Sequence, residues 1–142
     1  VNVAAQRWNT GSGNAGRAGK GAFVIKELDT RGFEAALNDT DQPVLVDFWA
    51  PWCGPCRVQL PILERVASNG EGAYRVFKVN VDENEQLAVR FGITSIPTLL
   101  LFRNGELVRR LTGLQQEGVL REALKNARGS NDATNVFAKA SP

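Results

Sequence analysis

This sequence predicts an α/β fold, one mixed sheet with helices on both faces, and three observations carry that expectation. Strand-like and helix-like segments alternate along residues 22–129. The run PVLVDFWA, 43–50, is apolar but for Asp47, which suits a central strand buried on both faces. Asn104-Gly105 divides PTLLLFRNGELVRRL, 97–111, and that dipeptide marks a tight antiparallel hairpin.

The elements follow in order. AFVIKEL, 22–28, reads as a short strand. DTRGFEAALNDT, 29–40, opens on a capping residue, Asp29 or Thr30, and spaces Phe33, Ala36 and Leu37 along one helix face. After the strand at 43–50 a helix is expected, with Val58, Leu60, Ile62, Leu63 and Val66 as its apolar surface. Pro61 lies inside it and should kink it, since proline lacks the amide donor and crowds the preceding turn. YRVFKVNVD, 74–82, alternates Val76, Lys78 and Asn80 against Phe77, Val79 and Val81, the period of a strand. ENEQLAVRFG, 83–92, is a short helix ended by Gly92, and QQEGVLREALKNARG, 115–129, is an amphipathic helix ended by Gly129. The order is β-α-β-α-β-α-β-β-α. Strands joined through helices should run parallel, and the hairpin adds an antiparallel edge.

The chain has 142 residues, 43% of them hydrophobic, which fits one domain with some length left over. NTGSGNAGRAGKG, 9–21, has no apolar period and reads as a flexible tail. GSNDATNVFAKASP, 129–142, is a second polar tail, with Val136 and Phe137 as its docking candidates. The expected organisation is therefore a tail over 1–22, a domain over 23–128 and a tail over 129–142. The first tail holds Arg7, Arg17 and Lys20 with no acid, and the last holds Asp132 and Lys139. Of the net charge of +2, the first tail therefore carries +3, the last tail zero, and the domain between them, at −1, is nearly neutral. No basic stripe for nucleic acid is visible, nor a run of about 18 apolar residues that would span a membrane. The N-terminus also lacks the basic-then-apolar layout of a signal peptide.

Both cysteines fall in DFWAPWCGPCRVQLP, 47–61, beside two of the three tryptophans, and the chain has no histidine. A four-ligand zinc site and Cys–His catalysis both lack their residues. A structural Cys53–Cys56 bridge would close a tiny loop and give little entropic stabilisation. Reversible dithiol chemistry, or two inert thiols, remains. The thiolate is the nucleophile, and a cysteine where a strand ends and a helix begins has first-turn amides to stabilise it. Cys56, one turn later, falls on the same side of the helix. Cys53 can then attack an external disulfide and Cys56 can resolve the mixed disulfide. Gly54 permits close approach of another backbone, and Pro55 fixes φ in the first turn. Neither adds charge to stabilise the thiolate further, which favours a reductant.

Asp47 reads either as an acid that turns out to solvent or as a buried proton store with a raised pKa that serves Cys56. Lys78 is a solvated strand residue, or Asp47's neighbour if their strands pair. Pro97, in TSIPTLL, 94–100, is an ordinary strand-start proline, or follows a cis Ile96–Pro97 bond that exposes the Ile96 backbone to an extended substrate.

With WCGPC, VDFWAPWCGPCR, Pro61, KVNVDEN, FGITSIPTLLLFRNGE and Gly113 in view, the chain resembles the thioredoxin family over roughly 23–128. The resemblance implies a thioredoxin fold, a mixed five-stranded sheet whose strands, numbered along the chain, lie in the order 1-3-2-4-5 with four flanking helices. It implies Cys53 as nucleophile, Cys56 as resolving thiol, and Asp47 as the buried acid with Lys78 as its partner. Trp52, Gly54, Pro55, Ile96, Pro97 and Gly113 match the flat apolar face that docks partners, and Trp49 the tryptophan packed beside the site. The activity implied is protein-disulfide reduction without a cofactor, fed by thioredoxin reductase and spent on disulfide-containing client proteins. A cytoplasmic monomer is the expectation, with an organelle open to a processed precursor. Rival readings are an oxidant or isomerase, which the Gly-Pro pair opposes, and a binding subunit that uses the docking face without redox turnover.

Overall fold

The computed structural model describes residues 24–128. The two expected tails, the first residues of the strand expected over 22–28 and the helix-ending Gly129 lie outside the described residues. The elements are β1 (Lys26–Glu27), α1 (Thr30–Asn38), β2 (Val44–Trp49), α2 (Gly54–Gly70), β3 (Arg75–Asn80), α3 (Glu85–Arg90), β4 (Thr98–Arg103), β5 (Glu106–Thr112) and α4 (Glu117–Arg128). The expected order holds throughout. The strands form one sheet in the order β1-β3-β2-β4-β5. β3 runs parallel to both β1 and β2, and β4 runs antiparallel to both β2 and β5.

Local chemistry sets the boundaries. The Asp29 carboxylate caps α1 by accepting from the Gly32 amide at 2.9 Å. The β4–β5 turn places Asn104 at φ 55° and Gly105 at φ 80°, the two left-handed residues of a two-residue hairpin. α3 ends as expected, with Gly92 at φ 61° and its amide donating to the Val89 carbonyl.

β2 is buried along nearly its whole length because both faces of the sheet are covered. On one face α2 and α4 bring Leu63, Val66, Leu120 and Leu124 against Leu45, Val76, Leu99 and Leu101. On the other, α1 and α3 bring Phe33, Leu37 and Leu87 against Val46, Phe48, Val79 and Phe102. The alternation in β3 follows: Val76 enters the first core, and Phe77 and Val79 the second.

One expectation fails in α2. Val58 is 52% exposed, and Gln59 is fully buried in its place. The phase of the helix is set by Cys56, Gln59, Leu63 and Val66, which recur at three- and four-residue steps on the buried face. Val58 points away from that line. The helix continues through Pro61, which has no amide to offer the Arg57 carbonyl one turn back.

Candidate active site

The central strand β2 delivers the chain to one edge of the sheet, where Ala50, Pro51 and Trp52 turn it into α2. Cys53 is the N-cap of that helix, in extended conformation, and its sulfur accepts from the Cys56 amide at 3.2 Å. Pro55 sits in the first turn, where its missing donor costs nothing. The amide on the Cys53 sulfur is what would hold negative charge there once the thiol ionises. Cys53 and Cys56 are joined in a disulfide with their Cα atoms 5.3 Å apart, so the structure is the oxidised form. Both sulfur-bearing residues are buried, in a small cluster with Ala50 flanked by Trp49, Val81 and Ile96. Their neighbours Trp52, Gly54 and Pro55 are exposed.

The Ile96–Pro97 bond is cis. The Ile96 carbonyl lies 3.8 Å from the Cys53 sulfur, which brings the loop before β4 against the dithiol site. Gly113 joins the same surface. At φ 89° it takes a conformation that disfavours a side chain, and its amide donates to the Pro97 carbonyl at 2.8 Å. Trp52, 66% exposed, is steadied by a hydrogen bond from Nε1 to Asp82 at 2.9 Å. A shallow groove beside it is lined by Val81, Ala88, Ile93 and Ile96. The residues expected to dock partners therefore do meet around the disulfide.

Asp47 does not turn out to solvent. It is 1% exposed, and its Oδ1 has no hydrogen-bond partner within the protein. Burial raises its pKa from 3.8 to about 7; Lys78 pulls it down in part and Glu27 pushes it up. Lys78 stands beside it in register, because β2 and β3 pair Asp47 with Lys78. The Lys78 ammonium rests over the Trp49 ring, 4.8 Å from its centroid.

Sequence reasoning passed over four polar residues. Gln59 holds the Gln115 backbone with both ends of its amide. Asp82 steadies Trp52. Glu27 accepts from the Trp49 indole at 2.8 Å. Asn84 receives the Thr30 amide and donates to the Asn80 carbonyl, tying the start of α1 to the end of β3. Gln59 falls on the face of α2 that buries Cys56, but that face is set by the sheet and is not readable from the sequence alone.

Among the described residues no helix is long and apolar enough to cross a membrane. The family model described as Thioredoxin matches residues 24–126. Thioredoxin 1 of a Nostoc species is 47% identical over 93 residues, 66% of this chain and 87% of that protein. A thioredoxin of Rickettsia bellii is 45% identical over 103 residues, 72% of this chain and 98% of its own length. A thioredoxin of Haemophilus influenzae is 42% identical over 89 residues, 63% of this chain and 83% of its own length.

Proposed function

The chain belongs to the thioredoxin family and is a thiol–disulfide oxidoreductase, and from that premise we propose how its residues divide the reduction of client disulfides. The observation that carries the scheme is the N-cap geometry: one cysteine receives a helix amide on its sulfur, and the second lies a turn away within bonding reach.

In the dithiol form, the Cys53 thiolate attacks one sulfur of a client disulfide. A Cys53–client bond forms, and the second client sulfur leaves as a thiolate. Asp47, in its ionised form, takes the proton from the Cys56 thiol, directly or through a water. The Cys56 thiolate then attacks Cys53, the internal disulfide closes, and the first client sulfur departs, to be protonated in turn. Two electrons have passed to the client and the chain is left oxidised. A value for Asp47 near neutrality suits a group that must both accept and return a proton there. Trp52, Ile96, Pro97 and Gly113, with Gly54 and Pro55, receive the client backbone and exclude water from the exchanging sulfurs.

The oxidised form must be recharged by an external two-electron donor. Thioredoxin reductase is the donor this reading calls for, and a reducing compartment, the cytoplasm in the first instance, is where such a dithiol works. The test is reduction of a protein with interchain disulfides, such as insulin, driven by dithiothreitol. The native chain should accelerate it, and Cys53→Ser should abolish the acceleration. A Cys53→Ser/Cys56→Ser variant that supports the full biological activity of the native chain would overturn the reading and leave partner binding as the function.

A further inference from the structure

Three ionisable residues stand on one rung of the sheet. β1 pairs Glu27 with Lys78, and β2 pairs Asp47 with the same Lys78. Residues in register on neighbouring strands share a face, so all three side chains leave the sheet on the α2–α4 side. Trp49, two residues after Asp47, emerges on that side too.

Lys78 would be expected to pair with the buried carboxyl group beside it. Among the described residues it forms no salt bridge. Its ammonium lies on the Trp49 ring. The ring is in turn held by the Glu27 carboxylate through the indole N–H. Glu27 thus fixes the seat on which the lysine rests, and it contributes its own negative charge within reach of both partners.

We propose that Glu27 is a positioning residue of the dithiol site: by holding the Trp49 indole, it keeps the Lys78 ammonium on the ring and withholds it from Asp47. The inference rests on Asp47 as the site's proton store. Lys78 and Glu27 are the charged groups that act on Asp47. β4 sets Leu99 opposite it, and α2 and α4 face that side of the sheet with Leu63, Val66, Leu120 and Leu124. Glu27 is exposed, so it can be replaced without opening the core.

The substitutions Glu27→Gln and Glu27→Ala separate the two contributions. Glutamine keeps an oxygen for the indole N–H and loses only the charge. Alanine loses both and frees the ring, so the ammonium can move to the carboxylate. The titration of the Asp47 carboxyl carbon is followed by NMR in the oxidised protein. The midpoint should fall in both variants, by about 1 pH unit in Glu27→Ala, in keeping with a cation gained at close range, and by less in Glu27→Gln. Adding Lys78→Gln to Glu27→Ala should remove the excess drop. An unmoved midpoint in Glu27→Ala, or equal drops in the two variants, would overturn the proposal. The readout needs no turnover. Native-rate catalysis by Asp47→Ala would remove the proton-store reading and leave this titration standing, and an unmoved midpoint would remove Glu27 and leave Asp47's role intact.

Discussion

Gln59 holds both backbone polar groups of Gln115. Its Nε2 donates to the Gln115 carbonyl at 3.0 Å, and its Oε1 accepts from the Gln115 amide at 2.7 Å. Gln115 then donates from its own side chain to the carbonyls of Thr112 and Gly113. The helix that bears Cys56 is therefore tied to the segment that bears Gly113. Gln59→Leu keeps the size of the side chain and leaves those backbone groups without partners. It should destabilise the fold by about 1 kcal/mol and lower the urea midpoint, since two half-buried backbone groups lose their partners. Native stability in Gln59→Leu would show that the tie carries no weight.

Asp47 should make stability fall as pH rises. Its pKa is higher in the folded chain than the ordinary 3.8, so between pH 4 and about 7 the folded form binds a proton that the unfolded form has lost. The contribution is fully present below the unfolded pKa and is gone once pH passes about 7. Each tenfold change in proton affinity is worth about 1.4 kcal/mol, so the whole effect is at most about 4 kcal/mol. Asp47→Ala should abolish this slope, gain stability at pH 8 relative to native, and slow release of reduced client. Urea titrations at pH 5 and pH 8 check the first two. Parallel native and variant slopes would contradict the burial argument.

Cys56→Ser leaves Cys53 able to attack and removes the thiol that resolves. Client proteins should then accumulate in mixed disulfides on Cys53, visible as dithiothreitol-sensitive adducts on non-reducing gels and by mass spectrometry. The reverse variant, Cys53→Ser, should trap far fewer. Equal trapping by the two would contradict the order of attack.

The reduction potential of the Cys53–Cys56 pair should lie with the reductants. Gly54 and Pro55 bring neither charge nor imidazole to the thiolate. Thioredoxin itself is the reference case, at about −270 mV, and equilibration against glutathione or a thioredoxin standard gives the value for this pair. A result between about −180 and −120 mV would place the protein with isomerases and oxidants.

Most of the fold was legible because its signals are local or strongly periodic. Val44 to Phe48 reads as a core strand from apolarity alone, and Asn104-Gly105 fixes a hairpin because few residues accept two positive φ angles in a row. The dithiol follows from the spacing of Cys53 and Cys56, whereas the sequence left the burial of Asp47 and its register with Lys78 open outside the family resemblance, because both depend on how β2 and β3 pair. The phase of α2 did not follow. Its apolar residues, Val58 through Val66, suit more than one helix face, and which face is buried depends on how the sheet receives Cys56. Glu27 and Gln59 were missed for a related reason. A glutamate in a two-residue edge strand and a glutamine in a helix both read as solvated, and their partners, Trp49 and Gln115, are 22 and 56 residues away.

The disulfide, Trp52, Ile96, Pro97 and Gly113 share one small patch, and both cysteines are largely buried there. Any molecule that gives electrons and any that takes them must occupy that same spot, and never together. Traffic through the protein is therefore a single queue. Excess of either visitor slows the other, and a client that lingers delays every client behind it. Priority among substrates is then set by dwell time on the patch as much as by the ease with which each disulfide breaks.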